Sequence, residues 1–141
     1  MRKTAGGFDV PKPTLDKVPQ PTGPFTILGK PAGSSIEWNV AMALDKLKVT
    51  YSYQYRVFGG RTLKGGTVID FMVHTVPLDT PLYVQGDYWH GSAKKRELDQ
   101  WMMRRIRAAL YYKCGEPVEI WEHDALTIDM AMTNLRRILH I

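Results

Sequence analysis

Asp70 lies in the run Val68-Ile69-Asp70-Phe71, and Gln85, Asp87 and His90 close the run Leu82-Tyr83-Val84-Gln85-Gly86-Asp87-Tyr88-Trp89-His90. These residue types suit hydrolysis at phosphorus. An acid on one strand facing polar groups on the next can hold a divalent cation against a phosphate, because magnesium takes oxygen ligands and keeps several waters. Asp70 is set among apolar neighbours. A buried carboxylate there needs a metal, a cation or an open strand end, since desolvating an unpaired charge is costly. His90 has the chemistry to take a proton from water or give one to a leaving oxygen. Gln85 can hydrogen-bond a water or a phosphate oxygen but cannot act as a base. Asp87 is a further ligand candidate. Position 83, a natural place for a second acid, is tyrosine.

Two strands must carry these residues. Thr67 to Val73 alternates so that Val68, Asp70 and Met72 share a face, and Leu82 to Gln85 is short and apolar. Between them Pro77-Leu78-Asp79-Thr80-Pro81 reads as a connector. Upstream, Tyr51, Tyr53, Tyr55 and Val57 alternate with Ser52, Gln54 and Arg56 in a half-buried strand. Gly59-Gly60 and Gly65-Gly66 bracket a turn bearing Arg61 and Lys64. Ser34 and Glu37 have capping-box spacing, followed by Ile36, Val40, Ala43, Leu44 and Leu47 at helical intervals. The cap accounts for Glu37 locally, although a first-helix acid can also approach a metal. A long helix is expected from Ser92 as N-cap to about Lys113, burying Leu98, Met102, Ile106, Ala109 and Leu110. Pro117 to Trp121 is a fourth strand. His123 and Asp124 form a turn in which Asp124 is available as a cap, and Thr127 to Leu139 is a last helix. The order is α-β-β-β-α-β-α.

The chain has 141 residues, enough for one modest core. Nineteen Lys and Arg against fourteen Asp and Glu give a net charge of +5, compatible with a polyanionic partner. Lys94, Lys95, Arg96 and Arg104 concentrate positive charge on the long helix, where they are candidate phosphate contacts. Cys114 is the single cysteine, which excludes an internal disulfide or a cysteine-built zinc site within one chain. No apolar run reaches the roughly 20 residues of a membrane helix. The Met1 to Gly7 start lacks the apolar stretch of a signal peptide. A soluble cytoplasmic protein is expected, with a bacterial or phage setting in view. Residues 1–33 hold six of the nine prolines and five of the twelve glycines, with five basic side chains against two acidic. They read as an extended basic arm that leads into a domain at 34–141 and is suited to a protein or nucleic-acid partner.

Gly66-Thr67-Val68-Ile69-Asp70-Phe71, Val84-Gln85-Gly86-Asp87-Tyr88-Trp89-His90-Gly91 and Val118-Glu119-Ile120-Trp121-Glu122 resemble the very-short-patch-repair (Vsr-like) endonucleases. They are also similar to other small domains of the PD-(D/E)XK nuclease superfamily. The resemblance covers roughly 34–141. It implies a restriction-endonuclease-like α/β fold, an αβββαβ core with a central mixed four-stranded sheet flanked by helices. It further implies magnesium- or manganese-dependent cleavage of DNA. Asp70 then matches the metal-binding aspartate, the Val84 carbonyl a metal ligand, His90 a catalytic histidine and Glu37 the first-helix acid. Tyr88 and Trp89 match an aromatic pair that wedges between base pairs. Three positions depart from the pattern. The third strand carries Tyr83 and Gln85 where the superfamily has an acid and a lysine. The repair enzymes also lack that acid but place a histidine where Gln85 stands. Asp87 occupies the place of a zinc-binding cysteine, so no structural zinc is expected. Two readings therefore stand: a metal-dependent DNA endonuclease, or an inactive nuclease fold used for nucleic-acid binding or for assembly in a phage or mobile element.

Overall fold

The computed structural model describes residues 25–60, 66–87 and 93–141, with side chains from Arg96 onward in the last stretch. The chain divides at Ala32/Gly33 into two units. In the first, β1 (Thr26–Ile27) and β2 (Lys30–Pro31) form an antiparallel hairpin, with Ile27 facing Lys30 and Thr26 facing Pro31. The hairpin thus lies within the segment expected as an arm over 1–33. Leu28 and Gly29, both at positive φ, make the reversal. Residues 1–24 of that arm lie outside the described residues.

The second unit runs α1 (Ser35–Lys46), β3 (Tyr51–Val57), β4 (Thr67–Val73), β5 (Thr80–Gln85), α2 (Ala93–Ala109), β6 (Val118–Trp121) and α3 (Ile128–Leu139). The element order is the expected one. The sheet is mixed and ordered β3-β4-β5-β6: the first two pairings are antiparallel and β5–β6 is parallel. A parallel neighbour needs a crossover, and α2 supplies it.

Local chemistry sets the helix starts. Ser34 caps α1, its Oγ accepting from the Glu37 N–H at 3.1 Å. Thr127 caps α3 in the same way through the Met130 N–H, so the cap is Thr127 and not Asp124. Asp124 instead closes a single 3₁₀ turn, Glu122–Asp124. α2 stops at Ala109, short of Lys113. Of the expected stripe Ile106 is buried and Met102 and Leu110 are half-buried, but Leu98 and Ala109 are exposed, and Met103 is buried in addition. Ile106 meets the sheet floor of Val57, Ile69, Met72 and Cys114, with Met102 and Leu110 packed against the same cluster, while Met103 lines a cleft with Pro117 and Glu119 of the β6 side. β5 starts two residues early, so Pro81 lies inside a strand, opposite Met72. Its missing N–H is tolerated because the β6 ladder begins only at Leu82.

Two layers cover the sheet. α3 packs on α1 and on β6. Tyr51, Tyr53 and Phe71 pack ring to ring on the α1 side, with centroids 5.1–5.5 Å apart. Val57, Ile69, Met72 and Cys114 form the floor under Ile106 of α2. Strict alternation fails at one place. Ile69 and Met72 meet the same cluster, so β4 turns its faces over between them. The partner strand shows the cause. Gln54 sits at φ +57, and the β3–β4 ladder omits the Gln54–Asp70 pair that its register would contain. Asp70 is thus at the kink of the sheet.

No described helix is long and apolar enough to cross a membrane.

Candidate active site

The kink opens the sheet on its other side as well. β4 and β5 pair from Val73–Thr80 to Phe71–Leu82 and no further. In a sheet, alternate residues direct their backbone groups to the same neighbour, so Leu82 and Val84 both address β4. Beyond Leu82 that neighbour's backbone has moved away. The Val84 N–H donates instead to Asp70 Oδ2 at 2.8 Å. Asp70 therefore fills a fork between two strands, and its carboxylate satisfies a donor that would otherwise be orphaned. The Val84 carbonyl leaves the strand on the same edge, toward the fork.

Glu37 reaches this region from α1. Its Oε1 accepts from the Tyr53 hydroxyl at 2.5 Å, and Ser34 Oγ lies 3.4 Å from its Oε2. The Gly33 N–H donates to the same Tyr53 oxygen at 2.9 Å. A Cβ at Gly33 would come within 2.9 Å of the Glu37 carboxylate, which would have to shift. Tyr53 is held protonated, its pKa raised by burial, by the bond to Glu37 and by the nearby charge of Asp70. Glu37 is thus more than half of a capping box. It joins α1 to β3 next to Asp70, with Tyr53 between them.

Tyr83 lies on the α2 side. Burial and then the field of Asp70 raise its pKa, with smaller contributions from Cys114 and Glu119. Its hydroxyl is buried and has no hydrogen-bond partner among the described residues. Two residues on, Gln85 is buried at 6% exposure and donates from Nε2 to Glu119 Oε2 at 2.7 Å. Parallel register produces that pair, because Tyr83 is level with Glu119 and Gln85 with Trp121. Glu119 then looks into a cleft of about 540 Å³ between α2 and β6, across from Arg104 and Arg107.

Asp87 turns away from Asp70. Its carboxylate accepts from His123 Nδ1 at 2.9 Å, and its N–H donates to Glu122. His123 is also 3.6 Å from Asp124 and stacks on Trp121. The bond to Asp87, followed by the charges of Asp87, Asp124 and Glu122, raises the His123 pKa. Among the described residues no three His, Cys, Asp or Glu side chains converge as a metal-binding group.

The residues expected to act together are thus placed as follows. Asp70 and Val84 meet, Glu37 stands beside them through Tyr53, Gln85 is turned to β6, and Asp87 belongs to a neighbouring pair. Arg96 lies 5.5 Å over the Trp121 ring, and Arg104 is exposed on α2. Arg61, Lys64, Tyr88, Trp89 and His90, and the side chains of Lys94 and Lys95, fall outside the described residues. Glu119, His123 and Tyr53 complete the surroundings and carried no distinctive spacing. Their roles depend on which strands adjoin and in which direction.

No family model, curated protein or solved structure matches the chain.

Proposed function

We propose that the protein is a metal-dependent DNA endonuclease of the PD-(D/E)XK type. The observation that carries this reading is the fork at Asp70. An acid has been set at the point where β4 and β5 part, against the backbone of the strand that ends in Gln85. The order β3-β4-β5-β6, with its single parallel pair, supports the restriction-endonuclease-like arrangement.

The donor set suits a hard cation. It consists of oxygens, and the buried Tyr83 hydroxyl, without a hydrogen-bond partner among the described residues, lies in the field of both Asp70 and Glu119. Asp70 and the Val84 carbonyl would hold magnesium or manganese, which would supply charge stabilisation and a more acidic water. Glu37 is kept at the rim by Tyr53. Gln85 gives its N–H to Glu119, which leaves its carbonyl oxygen to orient a water. His90 is assigned proton transfer, and Arg104 a contact to the phosphate backbone.

A second reading is an inactive nuclease fold that binds nucleic acid or serves an assembly. Gln85 favours it: this amide is already committed to Glu119 and cannot carry a proton. Supercoiled plasmid incubated with magnesium or manganese decides between the two. The enzyme reading expects nicking that fails in EDTA and falls at least about 100-fold in Asp70→Asn. Absence of metal-dependent nicking in a folded, DNA-binding protein selects the inactive reading.

A further inference from the structure

The outward face of α2 carries what its buried face does not need. Trp101 is 51% exposed, Leu98 59% and Phe58, at the end of β3, 36%. Large apolar side chains placed together in water mark a contact surface. Arg105 organises this one. Its guanidinium lies 4.1 Å from the centroid of the Phe58 ring and 5.7 Å from that of Trp101. Phe58, Arg105 and Trp101 form a ladder of ring, cation and ring, with half of the last ring open to solvent. Arg104, exposed one position away, adds a second guanidinium.

The charge of the helix that carries Arg105 and Trp101 restricts the occupant. Ala93–Ala109 contains six basic residues against Glu97 and Asp99. Its surplus of four is most of the whole chain's +5. A partner should therefore be a polyanion that also presents flat π faces. Nucleic acid with unpaired bases has both, since every base can stack on an aromatic ring whatever its sequence. A duplex keeps its bases stacked inside and offers only phosphate. We infer that the Phe58–Arg105–Trp101 ladder is a stacking platform for single-stranded nucleic acid. It lies outside the Asp70 fork and does not depend on cleavage.

Fluorescence anisotropy of the full chain in EDTA tests this with three labelled oligonucleotides of equal length: single-stranded thymidine, the same length as duplex, and an abasic strand. The single strand should bind about tenfold or more tighter than the abasic strand, and tighter than the duplex. Trp101→Ala should weaken single-strand binding roughly 5- to 100-fold with little change in salt slope, and Trp101→Phe should restore most of it. Circular dichroism checks the fold of each variant. Equal affinity for all three oligonucleotides, or unchanged affinity in a folded Trp101→Ala protein, would overturn the platform. Because metal is absent, failure here is separable from failure of the endonuclease reading. Nicking of plasmid by Trp101→Ala with intact single-strand binding would remove only the platform.

Discussion

At the scale of single residues, the fold gives Asp70 a structural duty in addition to the chemical one proposed for it. Its Oδ2 satisfies the Val84 N–H in the middle of the sheet. Asp70→Ala removes that acceptor and leaves a donor without a partner, a loss of about 1–3 kcal/mol that urea unfolding would read. Asp70→Asn can keep a bond there while removing the charge, which is why it is the cleaner test of chemistry. Tyr83 behaves in the opposite sense. Its buried hydroxyl has no partner among the described residues, so Tyr83→Phe should raise stability by about 1 kcal/mol in metal-free buffer. His123 gives a pH signature. Its folded pKa is raised by Asp87, so the contribution of this pair is fully present below the ordinary histidine value of about 6.5 and disappears as pH climbs through the raised value. An NMR titration of the His123 ring should show a midpoint above the ordinary value, moving back in Asp87→Asn.

At the scale of elements, the fork exists because two strands cannot both stay in register past the kink. Gln54 at positive φ interrupts β3, β4 turns over at Asp70, and β5 departs toward β6. The sequence marks the strand at Thr67–Val73 but not its twist. Binary alternation assigns Ile69 and Met72 to opposite faces, whereas the structure gives them one cluster. The burial of α2 side chains has the same origin. Leu98 fits the helical stripe and Met103 does not, yet Met103 is buried and Leu98 exposed, because the placement of the neighbouring strands selects between them. Met103→Ala should cost about 2–4 kcal/mol, while Leu98→Ala should stay within about 0.5 kcal/mol; thermal melts of the two variants give the contrast.

At the scale of the whole molecule, the surplus of basic residues falls heavily on α2. Binding that neutralises about four phosphates should lose affinity with a log–log salt slope near −3 on single strands. Ser52, His74 and Asp79 show that a familiar constellation need not be a site. Ser52 Oγ–H and Asp79 Oδ1 each lie 3.3 Å from a nitrogen of His74, and the chain of bonds ties β3 to the connector before β5. That is a sufficient reason for it in the fold.

By itself, the sequence determined the periodic and capped features: the order of elements, the Thr67–Val73 strand, the Ser34 cap and the basic long helix. These depend on neighbours within a few positions, where sterics and hydrogen bonding are local. Tertiary structure alone decided that Asp70 meets the Val84 N–H, that Gln85 is spent on Glu119, that Asp87 belongs to His123, and that Trp101 faces outward beside Arg105. Each of those depends on strand register, on the kink at Gln54 or on the rotation of a helix over the sheet. Such quantities follow from how the whole core closes, and no local spacing encodes them.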